Sequence, residues 1–440
     1  MKELTLPQQI IRRDLPRLKA YQENLDFYNG TQWPGRSRGW ERRLTFNYAK
    51  VFLDKLTSYL MGGLSFTVEA IDSSAPAQAR AERAQEVLRQ VSEENNLEQL
   101  DLDTEIDTAV LGDGCFKVSW DEVAERVRVT APDVQGLYVW WAADDLSQVW
   151  RVASRYSLAT QEAQSLFGVK LDLKPEATVL ESWTRESFEL WVESALVERR
   201  ANPYGFIPFI VFANLREPKK FWGVSDIQAI REPARELNRA LSQLSMILEL
   251  SGNPIAVLEN VEEAADIAVH PGAVWAIPEK ARAYLLDLLQ GGGVKLHTDY
   301  IDLIYRAIHD LSEAPRTAFG DNRQGLSGVA LEMELHPLLQ KVRRKRLIRT
   351  TAYKKRAEML LRLVQQKTGE KLWPCRLRLV WGPVLPQDRG RLVKEEESLV
   401  HAGLHSRKRA MAELGVDDPE AELTRWLEEE EKVRRQLPQA

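Results

Sequence analysis

From Ser225 to Ser251 the chain carries Ile227, Ile230, Leu237, Leu241, Leu244 and Leu248 along one helical stripe. From Asp299 to Glu313 it does so again, with Ile301, Ile304, Ile308 and Leu311. The first stretch amounts to about 40 Å of helix at a rise of about 1.5 Å per residue. Ser225 with Gln228 is a start signal, Pro233 an expected kink, and Gly252-Asn253-Pro254 a stop. Between the two stretches lie residues 252–296, which end in a run of glycines from Gly291 to Gly293. Two striped helices flanking an insertion of this length are expected to form an antiparallel pair with a small module at its far end.

A still longer helical pattern runs from Val329 to Thr368, with Pro337 as an expected kink and Gly369 as a stop. Pro315 closes the preceding helix. Arg316 to Ser327 has no period and reads as a mobile loop. In the N-terminal half, Leu15 to Phe27 reads as a short amphipathic helix and Tyr28 to Gly35 as a turn-rich aromatic segment. A helix resumes near Asn47 with Val51, Leu53, Leu56, Tyr59 and Leu60, and Gly62-Gly63 ends it. Ser73 to Pro76 is read as a linker, Ala77 to Val110 as helix in two pieces, and Cys115 to Trp120 as a strand entered through Gly112-Asp113-Gly114. Short strands then dominate as far as Phe212. Leu377 and Leu379 mark one more, and Arg389 to Glu431 is helical and strongly charged. The expected fold class is α+β.

At 440 residues, 44% hydrophobic and 28% charged, the chain can bury a core and exceeds one ordinary domain, so two or more packed regions are expected. A formal charge of −5 argues against gripping DNA over the whole surface, since that affinity comes from Lys and Arg displacing phosphate counterions. Cys115 and Cys375 form no CxxC pair, so both are read as buried thiols in a reducing compartment. The opening residues lack the apolar run of a signal peptide, and no membrane-spanning stretch is found, so the chain is expected to be cytoplasmic when made.

Several motifs in fixed order resemble the portal proteins of tailed double-stranded DNA phages, of the long-tailed type. They begin with Tyr28-x-Gly30-x-Gln32-Trp33, with Asn47-Tyr48-Ala49-Lys50 leading to Tyr59-Leu60-Met61-Gly62, and with Ala109 to Gly114 before a strand. They continue with Asn202-Pro203-Tyr204-Gly205-Phe206-Ile207-Pro208-Phe209-Ile210-Val211-Phe212, Gly223-Val224-Ser225-Asp226-Ile227 and Asn238-x-x-x-Ser242, and end with Leu326 to Leu331. The resemblance implies a non-enzymatic subunit of a homo-oligomeric ring, of about twelve copies, whose head-to-tail contacts close around one channel. Residues 1–25 would be an N-terminal helical segment, 26–224 with 329–380 the wing, 225–251 and 297–315 the two stem helices, 252–296 the clip, 316–328 the tunnel loop and 381–440 a helical crown. The implied location is the capsid portal vertex of the virion. Implied partners are double-stranded DNA passing without sequence recognition, the terminase large subunit, a major capsid or scaffolding protein, and a head-completion or adaptor protein. No membrane partner and no cofactor is implied.

Three groups of residues are singled out on these grounds. Asp321, Asn322, Arg323, Gln324, Gly325 and Leu326 would face DNA, since their charges nearly cancel and glycines flank them. Glu259, Glu262, Glu263, Asp266 and Trp275 would form the partner-binding clip surface. Lys341 to Arg356 holds Lys341, Arg343, Arg344, Lys345, Arg346, Arg349, Lys354, Lys355 and Arg356 without one acid. Because these residues surround the helix, the run is read either as a channel or inter-subunit face, with Arg343, Arg344, Arg346 and Arg349 foremost, or as a solvated face paired with acids such as Glu395-Glu396-Glu397 and Glu428 to Glu431.

Enzymatic chemistry is sought and not found. The phosphate-cradling GxxxxGK pattern is missing, and Gly291-Gly292-Gly293-Val294-Lys295 is better read as a hinge. Asp101, Asp103, Glu105 and Asp107 could suggest a two-metal nuclease of the packaging machinery, the alternative function. Alternate positions on a helix point to different faces, so a solvated acidic surface is the expectation. Glu397, His401 and His405 share a helical face, but Gly403 weakens that helix and a surface role is favoured. No catalytic or metal site is expected.

Overall fold

The computed structural model describes residues 5–10, 12–37, 39, 41–171, 174–252, 255–260, 280, 282–286, 293–320, 328–385, 389–416 and 419–436. They form two compact units, residues 1–380 and 381–440.

The first unit opens with α1 (Leu6–Ile10), α2 (Leu15–Tyr28) and α3 (Tyr48–Leu60). Asn47 caps α3 by accepting the Lys50 amide at 3.2 Å. Next come β1 (Leu64–Glu69), a strand that the sequence reading did not foresee, and the paired helices α4 (Ala75–Glu94) and α5 (Leu97–Leu111). Then follow β2 (Asp113–Asp121), β3 (Arg126–Thr130), β4 (Leu137–Trp141), β5 (Val149–Ala159), α6 (Thr160–Phe167), β6 (Glu176–Thr184), β7 (Ser187–Val192), β8 (Ala195–Ala201) and β9 (Phe209–Ala213). Two short strands, β10 (Leu215–Arg216) and β11 (Gly223–Val224), lead into α7 (Ile227–Gly252). After β12 (Ile255–Glu259) and β13 (Arg282–Leu286) come α8 (Gly293–Ser312), α9 (Gly328–Thr368) and β14 (Arg376–Trp381). Both long helices hold the proline expected of them, Pro233 in α7 and Pro337 in α9.

The strands sort into an antiparallel five-stranded sheet, β4-β5-β6-β7-β8, and a three-stranded sheet, β3-β2-β9. β1 pairs with β14, β10 with β11, and β12 with β13. Leu6 and Ile10 of α1 pack on the larger sheet at Tyr138, Ala153 and Leu180. Arg17 on α2 donates to the carbonyls of Val134 and Leu137 and lies over Trp222, which fastens that sheet to the helical body. Cys115 and Cys375 are both buried free thiols, as expected.

The segment from Leu44 to Phe52 shows how α7 and α8 run. Leu44 and Phe46 donate backbone amides to Ser242 and Asn238 of α7, while the rings of Tyr48 and Phe52 pack tilted against Tyr305 and His309 of α8. Along one segment α7 is read backwards and α8 forwards, so the two helices are antiparallel. Tyr300 ties them again by donating to Glu236 at 2.9 Å. The apolar stripe of α7 is buried from Ile227, 0% exposed, as far as Leu237, 2% exposed, and emerges further along, where Leu248 is 52% exposed. On α8, which begins earlier than its periodicity suggested, Leu296, Leu303 and Leu311 are exposed.

The second unit contains α10 (Arg389–His401), α11 (Arg407–Glu413) and α12 (Pro419–Gln436). Here α10 stops at His401, so His405 is not on one helical face with Glu397; its Nδ1 lies 2.8 Å from Glu396 instead.

Candidate functional site

The root of α7 is where the chain concentrates its polar chemistry. Gly112 ends α5 at φ +109, and a side chain there would press on the Ser225 amide at 2.9 Å. That turn lets Gly112-Asp113-Gly114 meet Gly223-Val224-Ser225-Asp226. Asn214 donates its amide to Gly112 O at 2.8 Å, Gly223 donates to Asp113 Oδ1 at 2.8 Å, and the Asp226 amide donates to Ala109 O at 3.0 Å. Ser225 accepts from Ile227 N at 3.1 Å, as a helix cap should, and donates to Val110 O at 2.5 Å. Tyr21 completes the junction by donating to Asp113 Oδ2 at 2.5 Å. Burial pushes the Asp113 carboxyl up to about 6, although the Tyr21 and Gly223 hydrogen bonds oppose the rise.

Beside this junction α9 lays down a buried row of cations. Lys341, Lys345, Arg349 and Arg356 are each at most 4% exposed, so these four form a stripe facing inward. Lys341 Nζ lies 2.7 Å from Asp226 Oδ1 and donates to Ser312 O at 3.0 Å, joining the end of α8 to the start of α7. Lys345 donates to Asp226 Oδ2 at 2.6 Å and lies 3.8 Å from Glu105. Arg349 uses all five N–H groups: two to Glu105 at 2.7 and 2.9 Å, one to Ala213 O at 2.8 Å, and two to Asn214 O and Oδ1 at 2.6 and 2.8 Å. Arg356 grips Asp101 with both terminal nitrogens and lies over Phe116 at 4.4 Å. Asn214 also donates to Asp226 Oδ2 at 2.9 Å and Val224 O at 2.9 Å, closing the network.

The electrostatics follow from that geometry. Burial alone would raise Asp226, but Lys341 and Lys345 hold its carboxyl well below the usual range. Burial lowers Lys345, an effect that Asp226 and Glu105 only partly offset. Burial would also lower Arg349 and Arg356, yet Glu105 and Asp101 keep both above their ordinary value. The network is a lock that fixes α5, β9, α7, α8 and α9 to one another.

A second polar lock sits one level along α7. Asn238 donates to Gln32 Oε1 at 2.5 Å, Gln32 donates to Asn47 Oδ1 at 3.0 Å, and Ser242 accepts the Leu44 amide at 3.0 Å. Gln32, Asn47, Asn238 and Ser242 all come from the motifs noted in the sequence. Motifs scattered over the chain therefore converge on the root of one helix.

Several sequence expectations are corrected here. Asp101 and Glu105 are not solvated: they are 3% and 1% exposed and bound by Arg356 and Arg349, whereas Asp103 and Asp107 remain exposed. Carboxylates engaged in this way do not make the nuclease cluster, and among the described residues no group of three or more His, Cys, Asp or Glu could hold a metal ion. The basic run does not simply surround its helix, because four members form the buried stripe. Arg349 is 0% exposed and is no channel or inter-subunit face. Arg346 is half-buried and donates to Leu60 O, closing the end of α3, while Arg344 pairs with Glu313 at 2.6 Å. Of the four arginines singled out, Arg343 and Arg344 are exposed. Among the described residues, Asp101, Glu105, Asp226 and Glu313 are acids that meet the run. Arg316 to Phe319 is a short 3-10 turn rather than loop, with Phe319 packed on Phe52 at 5.0 Å.

Asp321, Asn322, Arg323, Gln324, Gly325 and Leu326 lie outside the described residues, as do Glu262, Glu263, Asp266 and Trp275. Glu259 is described: it is exposed at the end of β12 and accepts from Tyr284 at 3.2 Å. Sequence reasoning missed Asn214, Lys341 and Lys345 as members of the lock. The one available signal was the i, i+4, i+8 spacing of Lys341, Lys345 and Arg349.

No helix among the described residues is long and apolar enough to cross a membrane. A search of curated proteins finds no match. The sequence profile described as phage portal protein, SPP1 Gp6-like, matches residues 8–436, nearly the whole chain. An antiparallel helix pair rooted in residues from the ordered motifs, together with a profile match of that extent, places the chain in the SPP1 Gp6-like family of phage portal proteins.

Proposed function

We propose that this portal protein works as one subunit of a closed ring, of about twelve copies, whose channel passes DNA into and out of the capsid without sequence recognition. The observation that carries this reading is the α7–α8 pair: two long antiparallel helices, clamped at one end by buried ion pairs and apolar-exposed further along. A strut built that way transmits load without bending at its root. In this reading residues 225–251 and 297–315, which hold most of α7 and α8, are the stem, 252–296 the clip, 316–328 the tunnel loop, 381–440 the crown, 1–25 an N-terminal helical segment and 26–224 with 329–380 the wing. The clip, with Glu259, Glu262, Glu263, Asp266 and Trp275, docks the terminase large subunit during packaging and a head-completion or adaptor protein afterwards. The segment Asp321 to Leu326 contacts moving DNA, and Arg343 and Arg344 serve a channel or inter-subunit face. A major capsid or scaffolding protein holds the ring at the virion vertex, after assembly in the host cytoplasm. The protein itself breaks no bond, and motor energy comes from a partner ATPase.

Single-particle imaging of the purified protein tests the ring: particles with a central hole are expected, and a monomer that does not assemble with capsid proteins overturns the reading. Incubation with plasmid DNA, magnesium and ATP tests the alternative nuclease, and cleavage by the protein alone overturns the conduit role.

A further inference from the structure

α9 turns its paired cations inward, yet the flank that carries Leu347, Lys355 and Met359 borders an open trough of about 920 Å³. Its other walls come from β9, from the start of β5 at Trp150 with the turn before it, and from the loop around Phe206. Leu347 is 67% exposed and Trp150 51% exposed, which is a large apolar area to leave in water. Arg185, Arg216 and Lys355 stand exposed along the trough with no ion pair among the described residues. Its acids are fewer at the rim: Asp113 is buried beneath it and bound by Tyr21, Glu358 is bound by Arg362 at 2.6 Å, and Glu186 stands beside Arg185. The trough is apolar with a basic rim.

α5 presents the opposite character. Leu102 is 38% exposed, flanked by exposed Glu98, Asp103 and Asp107, with Asp133 nearby. Among the described residues no cation pairs with any of these four acids, and Asp103 accepts only from Gln99. Crowding by protein atoms and then the charges of Asp133 and Asp103 raise the Asp107 carboxyl, although water reaches it, so the ridge lacks a counter-charge. Asp101 and Glu105 face α9. At about 100° per residue, Asp103 and Asp107 lie roughly 200° around the helix from Asp101 and Glu105 and point away from α9, while Glu98 and Leu102, roughly 60° and 100° from Asp101, lie on the flank between.

A head-to-tail ring requires two different, mutually complementary patches on one chain. We propose that the trough of one subunit receives the α5 ridge of its neighbour, with Arg185, Arg216 and Lys355 meeting Glu98, Asp103, Asp107 and Asp133 around Leu102. This inference rests on the ring reading and names the surfaces that close the ring. A symmetric contact would instead set basic rim against basic rim.

Charge reversal tests it. Arg216→Glu with Lys355→Glu reverses the trough, and Asp103→Lys with Asp107→Lys reverses the ridge; all four positions are exposed, and circular dichroism checks folding. Assembly is followed by light scattering and negative-stain imaging at 0.15 M salt. Each pair of reversals is expected to raise the concentration for half-assembly by at least about tenfold, and the fourfold variant to regain rings. Folded paired variants that assemble like wild type, or a folded fourfold variant that stays apart, overturn the assignment while leaving the ring itself standing. Wild-type protein that never forms rings removes the ring reading, and this inference with it.

Discussion

Replacing Arg349 by Met removes the centre of the buried lock without removing its volume. The substitution leaves Glu105, 1% exposed, with only Lys345 at 3.8 Å, and strips the donors from Ala213 O, Asn214 O and Asn214 Oδ1. Breaking a buried ion pair from one side costs about 3–5 kcal/mol, because a desolvated charge loses its partner. The three stripped acceptors place the variant at the upper end, since each orphaned buried group costs about 1–3 kcal/mol. A local loss of that size makes amide exchange at α9 and β9 faster by about a hundredfold to a few thousandfold. Hydrogen exchange read by mass spectrometry over peptides covering residues 341–356 and 209–216 measures it. Arg349→Met with Glu105→Leu should recover at least about 2 kcal/mol of the summed losses, because the orphaned carboxylate is then gone. Exchange accelerated less than tenfold, or a double variant as weak as the sum of its singles, would refute the lock.

The Asp113 carboxyl, raised to about 6 by burial, contributes stability that is complete below its unfolded value near 3.8 and is lost as pH rises through about 6. The shift is worth about 3 kcal/mol at roughly 1.4 kcal/mol per unit, so Asp113→Asn should gain on wild type between pH 4 and 7 in urea midpoints, and a constant difference contradicts this. Asp226 has the opposite sign: its depressed carboxyl contributes stability above the ordinary carboxylate range that disappears as pH falls below it, so Asp226→Asn should remove part of the acid lability seen in thermal melts. Gly112→Ala, at φ +109 and against Ser225, should cost at least about 1–3 kcal/mol from backbone strain alone, read as a lower melting temperature. Arg344→Gln breaks only an exposed pair with Glu313 and should change stability by less than about 1 kcal/mol by the same melts.

How much of this was legible in the chain divides by the range of the interaction. Helix and strand identity came from period and punctuation: Ser225 does cap α7, Gly369 follows the last turn of α9, and Pro233 and Pro337 sit within the helices assigned to them. Those signals are local, because a cap or a stripe is settled within a turn or two. The strand Leu64–Glu69 escaped because its pairing partner is Arg376–Trp381, far along the chain. The same distance hid the lock. Arg349 meets Glu105 across 244 positions and Arg356 meets Asp101 across 255, so neither the acidic nor the basic run shows alone that each is the other's counter-charge. By itself the sequence determined the helix pair, the mixed sheet region and the family. Only the tertiary structure decided which charges are dry, because burial of a charged side chain depends on what packs over it and no local period encodes that.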